Sequence, residues 1–269
     1  MKLSISNIAW PEEKDAEVYQ LLSQYDVGAI EVAPTRIWPN WVYSPDQVQT
    51  AKAELAAQGL QVSSFQAIIY GCPDLKVFGT PSEKQALVNH LKRVADLAVQ
   101  LGAGPMVFGA PKNRDRGDRT AAEAMIEAAD LFAEVGEYCT AVGTCLCLEP
   151  NPKDYNCTFV TDSKTGAELV RSVNSPGFRL HLDVAGMFLA GESIPHALDA
   201  AADVLAHVHI SEPYLGSFNT PQINHAEVAA GLKSINWDNW VSIEMRATDQ
   251  PVAAVERALQ FVQATYPLT

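Results

Sequence analysis

Four residues stand where four successive apolar runs end: Glu149, Asp183, His209 and Glu244. They lie 34, 26 and 35 residues apart. Each closes a stretch in which every second residue is apolar: TCLCLE (144–149), FRLHLD (178–183), AHVHIS (206–211) and WVSIEM (240–245). A strand turns alternate side chains to opposite faces. Leu146, Leu148, Leu180, Leu182, Val208, Ile210, Val241 and Ile243 then share one face, and the four polar residues the other. Three carboxylates gathered away from water repel one another unless positive charge joins them. A divalent cation meets that need, and an oxygen-rich set favours Mn²⁺, Mg²⁺ or Co²⁺ over a structural zinc site, with Zn²⁺ compatible. Each residue taken alone has a plainer reading. His209 fits a core histidine with satisfied hydrogen bonds, and Glu244 fits an ion pair with Arg246 or Arg179.

Four strands can aim side chains at one point only if something holds them in register. The chain supplies eight strand candidates: 2–6, 29–33, 61–69, 105–109, 144–149, 178–183, 206–211 and 240–245. Helical patterns lie between them. Two carry strong start signals, Ser44-Pro45-Asp46-Gln47 and Thr80-Pro81-Ser82-Glu83, each with a capping residue, a proline at the first helical position and Gln or Glu three after the cap. Helices run through 51–58, 84–101 and 119–142, and near 163–173, 194–203, 223–233 and 250–265. Gly59, Gly102 and Gly143 sit where C-terminal caps belong. Eight alternating units predict a single (β/α)₈ barrel spanning 1–269, whose active site gathers at the C-terminal strand ends. No glycine-rich phosphate loop marks a doubly wound alternative. On this reading His209 stands level with the three carboxylates, and His207 lies one layer below.

The 269 residues are 48% hydrophobic with a formal charge of −13, which argues against a nucleic-acid scaffold. No segment approaches the ~20 apolar residues of a membrane span, and Met1-Lys2 leads into no secretory apolar run. The five cysteines form no CxxC pair, which fits free thiols in a reducing cytoplasm.

The runs CLEPNP (147–152), LHLDVAGM (180–187), HVHISE (207–212) and VSIEMR (241–246), with AIEVAP (29–34), resemble the xylose-isomerase-like sugar phosphate isomerase/epimerase superfamily of TIM barrels over essentially the whole chain. That group includes ketose 3-epimerases, L-ribulose-5-phosphate 3-epimerases, hydroxypyruvate isomerases, inosose dehydratases and endonuclease IV. The resemblance implies a metal held by Glu149, Asp183, His209 and Glu244. It implies that Glu149 and Glu244 also move protons through a metal-stabilised enediolate of a small carbohydrate; homo-oligomers, dimers or tetramers, are common in that group, and nothing in the sequence sets an interface. Glu212 matches a carboxylate that contacts substrate or its surroundings. Two departures stand out: Gly186 replaces a substrate-gripping histidine, and no arginine follows Glu212. A dehydratase of a keto-polyol and a sugar-binding barrel without turnover share the pattern. A trinuclear nuclease site fits poorly with six histidines.

The remaining substrate contacts are open at this level. Lys112 and Asn113, with Arg114, lie in the polar loop 109–119, which reads equally as a solvated turn. Arg246 reaches an anionic group or pairs with Glu149 or Glu31. Gln66 and Trp10 line a pocket or pack. His181 and His207, deeper than the ligands, read as hydrogen-bonding support beneath the metal.

Overall fold

The computed structural model describes residues 1–268. The eight strands are β1 (Lys2–Ser6), β2 (Ala29–Val32), β3 (Gln61–Phe65), β4 (Pro105–Phe108), β5 (Cys145–Leu148), β6 (Phe178–Asp183), β7 (Leu205–Ser211) and β8 (Trp240–Glu244). They pair in parallel, in chain order, into a closed barrel. The helices are α1 (Asp15–Gln24), α2 (Pro34–Ile37), α3 (Pro45–Ala57), α4 (Pro81–Leu101), α5 (Ala121–Val142), α6 (Ser163–Val173), α7 (Val184–Leu189), α8 (Ile194–Ala201), α9 (His225–Ser234) and α10 (Pro251–Thr265). No helix among the described residues is long and apolar enough to cross a membrane. The five cysteines are free thiols.

Local chemistry accounts for most boundaries. Ser44 and Thr80 form reciprocal capping boxes with Gln47 and Glu83, and Thr120 does the same with Glu123 at the head of α5; each such cap contributes about 1 kcal/mol. Gly102 and Gly143 take the left-handed conformation that ends α4 and α5. Three elements depart from the pattern reading. Helix α1 lacks a side-chain cap and carried no start signal. Strand β3 stops at Phe65, four residues early, because Ala67 adopts a positive φ of 52° and a turn closes from Tyr70 N–H to Ala67 O. Ile68 and Ile69 are apolar because the loop is buried, and burial without alternation mimicked strand. Helix α7 follows β6 directly: Asp183 caps it by accepting from Gly186 N–H.

The core lies between the barrel and its helices. Phe108 and Phe178 meet Phe132 of α5 there, with Phe132 stacked on Phe178 at 4.6 Å. The barrel interior is polar. Ser4, Ser6, Glu31, Ser64, His181, His207, His209 and Ser242 are all sealed from solvent. The start of β6, which carries His181 and Asp183, presses on α5 with no room to spare. A methyl group at Gly177 would collide with Gly136 O and come within 2.6 Å of Thr140 N, both backbone. Gly177→Ala is therefore expected to cost about 2–3 kcal/mol and to lower the melting temperature by about 5–10 °C, read by thermal unfolding followed by circular dichroism.

Candidate active site at the C-terminal strand ends

Asp183, His209 and Glu244 offer donor atoms that all lie within 4.8 Å of one another. Strand register explains how. Asp183 sits opposite His209 across β6 and β7, whereas Glu244 sits opposite Ser211 and His209 opposite Ser242. Glu244 is thus one pleat above His209 rather than level with it. Its longer side chain spans the step, bringing Oε2 to 3.3 Å from His209 Nδ1. Asp183 is held from two sides. One oxygen caps α7 through Gly186 N–H, and the other accepts from Ser211 Oγ. Position 186, glycine here, serves Asp183 with its backbone; a Cβ there would lie 3.2 Å from Asp183 Oδ1 and 3.5 Å from Pro150 O.

Glu149 lines the same 440 Å³ cleft as Asp183, Ser211, Glu212 and Glu244. Its carboxylate turns toward Gly109, where any Cβ would strike Oε2, and stands outside the three-donor group. Burial, then the charges of Glu244 and Asp183, push its pKa up to about 8. Burial and Glu244 push Asp183 up to about 6. Buried carboxylates that resist ionisation, beside an imidazole nitrogen with no hydrogen-bond partner (His209 Nδ1), are the donor chemistry a divalent cation satisfies. His209 also belongs to a second group within mutual ligand distance, with His181 and His207, and all three imidazoles are buried from solvent.

Glu31 of β2 joins this constellation unannounced by any motif at the metal-ligand spacing. It is 0% exposed. Its Oε1 accepts from Ser64 Oγ at 2.7 Å and faces His207 Nε2 at 2.9 Å, and its Oε2 lies 2.8 Å from His209 Nε2. Burial alone would raise its pKa, but His209 and His207 hold it well below the carboxylate range. Burial opposes a charge on His209, yet Glu31 and Glu244 draw it well above the usual imidazole value. His207 thus bonds Glu31 rather than a donor of the cluster. His181 packs edge-on against His209 with ring centroids 4.1 Å apart.

A second cavity of 590 Å³ adjoins the first, sharing Ala110, Pro111, Glu149 and Tyr155. Gln66 and Lys112 lie on its wall, Lys112 exposed and Gln66 bonded to Ser6 Oγ. Asn113 borders it too, with its amide donating to Cys72 O at 2.9 Å and Leu75 O at 2.7 Å, stapling the loop after β3 to the loop after β4. Arg114 turns inward instead of meeting solvent; its guanidinium donates to Asn151 Oδ1 at 2.8 Å. Both carboxylate oxygens of Glu212 are engaged, by His225 Nε2 at 2.8 Å and Gln222 N–H at 2.9 Å. Trp10 borders a separate hollow with Arg36 and Tyr70, donating to Asp15 at 2.7 Å. Arg246 is exposed and forms no ion pair with Glu149 or Glu31. Tyr155, which no sequence signal singled out, walls both cavities; its hydroxyl accepts from Tyr214 N–H at 3.1 Å, and burial pushes its pKa to about 12. Tyr214 is 57% exposed and holds a left-handed φ of 59° where the related pattern carries arginine nearby.

A family model described as a xylose isomerase-like TIM barrel matches residues 19–265. The chain is 25% identical to a ketose 3-epimerase of Arthrobacter globiformis over 253 residues, covering 91% of this chain and 83% of that protein. It is 24% identical to a putative hydroxypyruvate isomerase of Streptomyces coelicolor, covering 81% and 82%. A match to L-ribulose 3-epimerase of a Methylomonas species, at 29% identity, spans 34% of this chain and 32% of that protein. Among solved structures, D-psicose 3-epimerase from Clostridium cellulolyticum superposes with a TM-score of 0.82 at 16% identity, covering 98% of this chain and 99% of that one.

The raised acids set a pH dependence. Glu149 binds its proton more tightly when folded, so its contribution to stability is complete below about 4.5 and is lost as pH rises through about 8. In chelator-treated protein the melting temperature should fall across that window, and Glu149→Gln should flatten the fall.

Proposed function

The chain belongs to the xylose isomerase-like TIM barrel family, and on that premise we propose that it is a divalent-metal-dependent isomerase or epimerase of an unphosphorylated ketose, moving a proton at the carbon beside the carbonyl. The observation that carries this reading is the convergence of Asp183, His209 and Glu244, with Asp183, Glu244 and Glu149 lining one cleft that adjoins a second cavity. Glu149, Asp183, His209 and Glu244 are the residues that would hold the ion. Bound there, it supplies the positive charge that offsets the carboxylates and the negative charge growing on the substrate oxygens as the proton leaves.

The chain's own groups do the rest. Glu149 and Glu244 rise from non-neighbouring strands, β5 and β8, and face the cleft from different sides. One removes the proton and the other delivers one, which inverts or relocates the centre. Without the ion, burial and the neighbouring carboxylates push the pKa of Glu149 up to about 8, so its carboxyl can hold a proton near neutral pH. Ser211 and the α7 amide fix Asp183, so the donor set does not rearrange during transfer. Tyr155 walls the substrate space and helps exclude water. Lys112 is the one cationic residue lining the two cavities, and it is exposed. A phosphate would meet carboxylates with little to compensate them, which favours a neutral sugar.

The test is solvent exchange. With a panel of free ketoses in deuterium oxide, wild-type protein plus Mn²⁺ should incorporate deuterium at the α-carbon. Glu244→Gln should lower the rate by roughly 10²–10⁴-fold, and chelation should abolish it. Absence of exchange on every ketose would sink the proposal, and a product lighter by one water would assign the protein to the dehydratases instead.

A further inference from the structure

Among the described residues, Glu31 is the one buried carboxylate of the barrel interior that does not line the cleft. It faces His207, His209 and Ser64, with no lysine or arginine among its ion-pair partners. Such a group is expensive to bury unless each oxygen is served. Its oxygens are served unequally. Oε1 takes Ser64 Oγ and His207 Nε2, while Oε2 makes no hydrogen bond among the described residues and meets only His209 Nε2, 2.8 Å away. Ser64 comes from the neighbouring strand β3 and His207 from β7 across the barrel, so the carboxylate bridges the interior.

The consequence falls on His209. Its ring lies between two carboxylates, Nε2 toward Glu31 and Nδ1 toward Glu244, 3.3 Å away. A neutral imidazole carries one proton. Placed on Nε2, that proton lies on the ring edge 2.8 Å from Glu31 Oε2 and leaves the Nδ1 lone pair on the side of Glu244, as a metal ligand requires. Placed on Nδ1, it blocks the donor cluster and sets a lone pair against a buried carboxylate.

We infer that Glu31 is a positioning residue that selects the Nε2-protonated tautomer of His209 and aims its Nδ1 into the cation site. The inference rests on the metal reading above and adds to it a residue that touches neither ion nor substrate. Glu31→Gln is the sharp variant: it keeps the shape of the side chain, but an amide nitrogen facing His209 Nε2 drives the ring proton toward Nδ1. Partners that orient a metal-bound histidine in this way are worth about 10–100-fold in affinity.

The measurement is Mn²⁺ binding to chelator-treated protein by calorimetry, alongside thermal unfolding without added metal. Expected are a 10–100-fold weaker affinity for Glu31→Gln, partial recovery in Glu31→Asp, and a changed visible spectrum when Co²⁺ replaces Mn²⁺. Wild-type protein also provides a check that needs no variant. Its histidine ¹⁵N spectrum with Mg²⁺ should show the His209 proton on Nε2 and a metal-dependent shift at Nδ1. Unchanged affinity in a folded Glu31→Gln protein, or a proton on Nδ1, would overturn the inference while leaving the metal site standing. Failure of wild-type protein to bind any divalent ion overturns both.

Discussion

Repulsion among buried carboxylates governs this molecule. Glu149, Asp183 and Glu244 share a cleft cut into a polar barrel mouth, where burial and the charge of Glu244 raise the cost of ionising both Glu149 and Asp183. A flexible chain would relieve that strain by letting the side chains move apart. Here three of their strand ends, β5, β6 and β8, are welded into a closed sheet whose outer face packs Phe108, Phe132, Phe178 and many aliphatic residues against the helices. The apolar shell supplies the stability that the charged centre spends, as expected where a site is preorganised rather than relaxed.

Beneath that cleft the barrel is not filled by the branched apolar layers common in such folds. Serines and histidines occupy the axis, and Glu31 ties β2, β3 and β7 together through it. A buried polar network is costly where it lacks partners, and here ring nitrogens of His181, His207 and His209 and the hydroxyl of Ser242 have no hydrogen-bond partner among the described residues. Above it, His209 Nε2 stands 2.8 Å from Glu31, while Asp183 is fixed from the side by Ser211 and the first turn of α7.

The mouth follows another logic. The loop after β3 has its carbonyls tied from behind by Trp41, His90 and Asn113, which leaves its apolar side facing the larger cavity. The polar loop after β4, read as a candidate anion contact, divides its labour. Lys112 stays at the rim, Asn113 staples two loops, and Arg114 is drawn inside to Asn151. Glu212, though buried beside the cleft, spends its carboxylate on His225 and a loop amide. Tyr155 and Tyr214 meet edge-on at 5.7 Å and line the cleft together.

Strand alternation and spacing were enough to read the barrel, the order of its strands and the four polar residues at their ends, because a two-residue period is a local property of the chain. Capping boxes marked α3 and α4 for the same reason: the partners lie three residues apart. Other features required the closed sheet. Register put Glu244 a pleat above His209, turned Glu149 toward Gly109, and brought Glu31 to a histidine 176 residues away. Ile68 and Ile69 read as strand because burial, not pairing, made them apolar. Which residues are polar and inward is written along the chain. Which of them touch depends on the stagger between strands distant in sequence, and only the assembled barrel sets that distance.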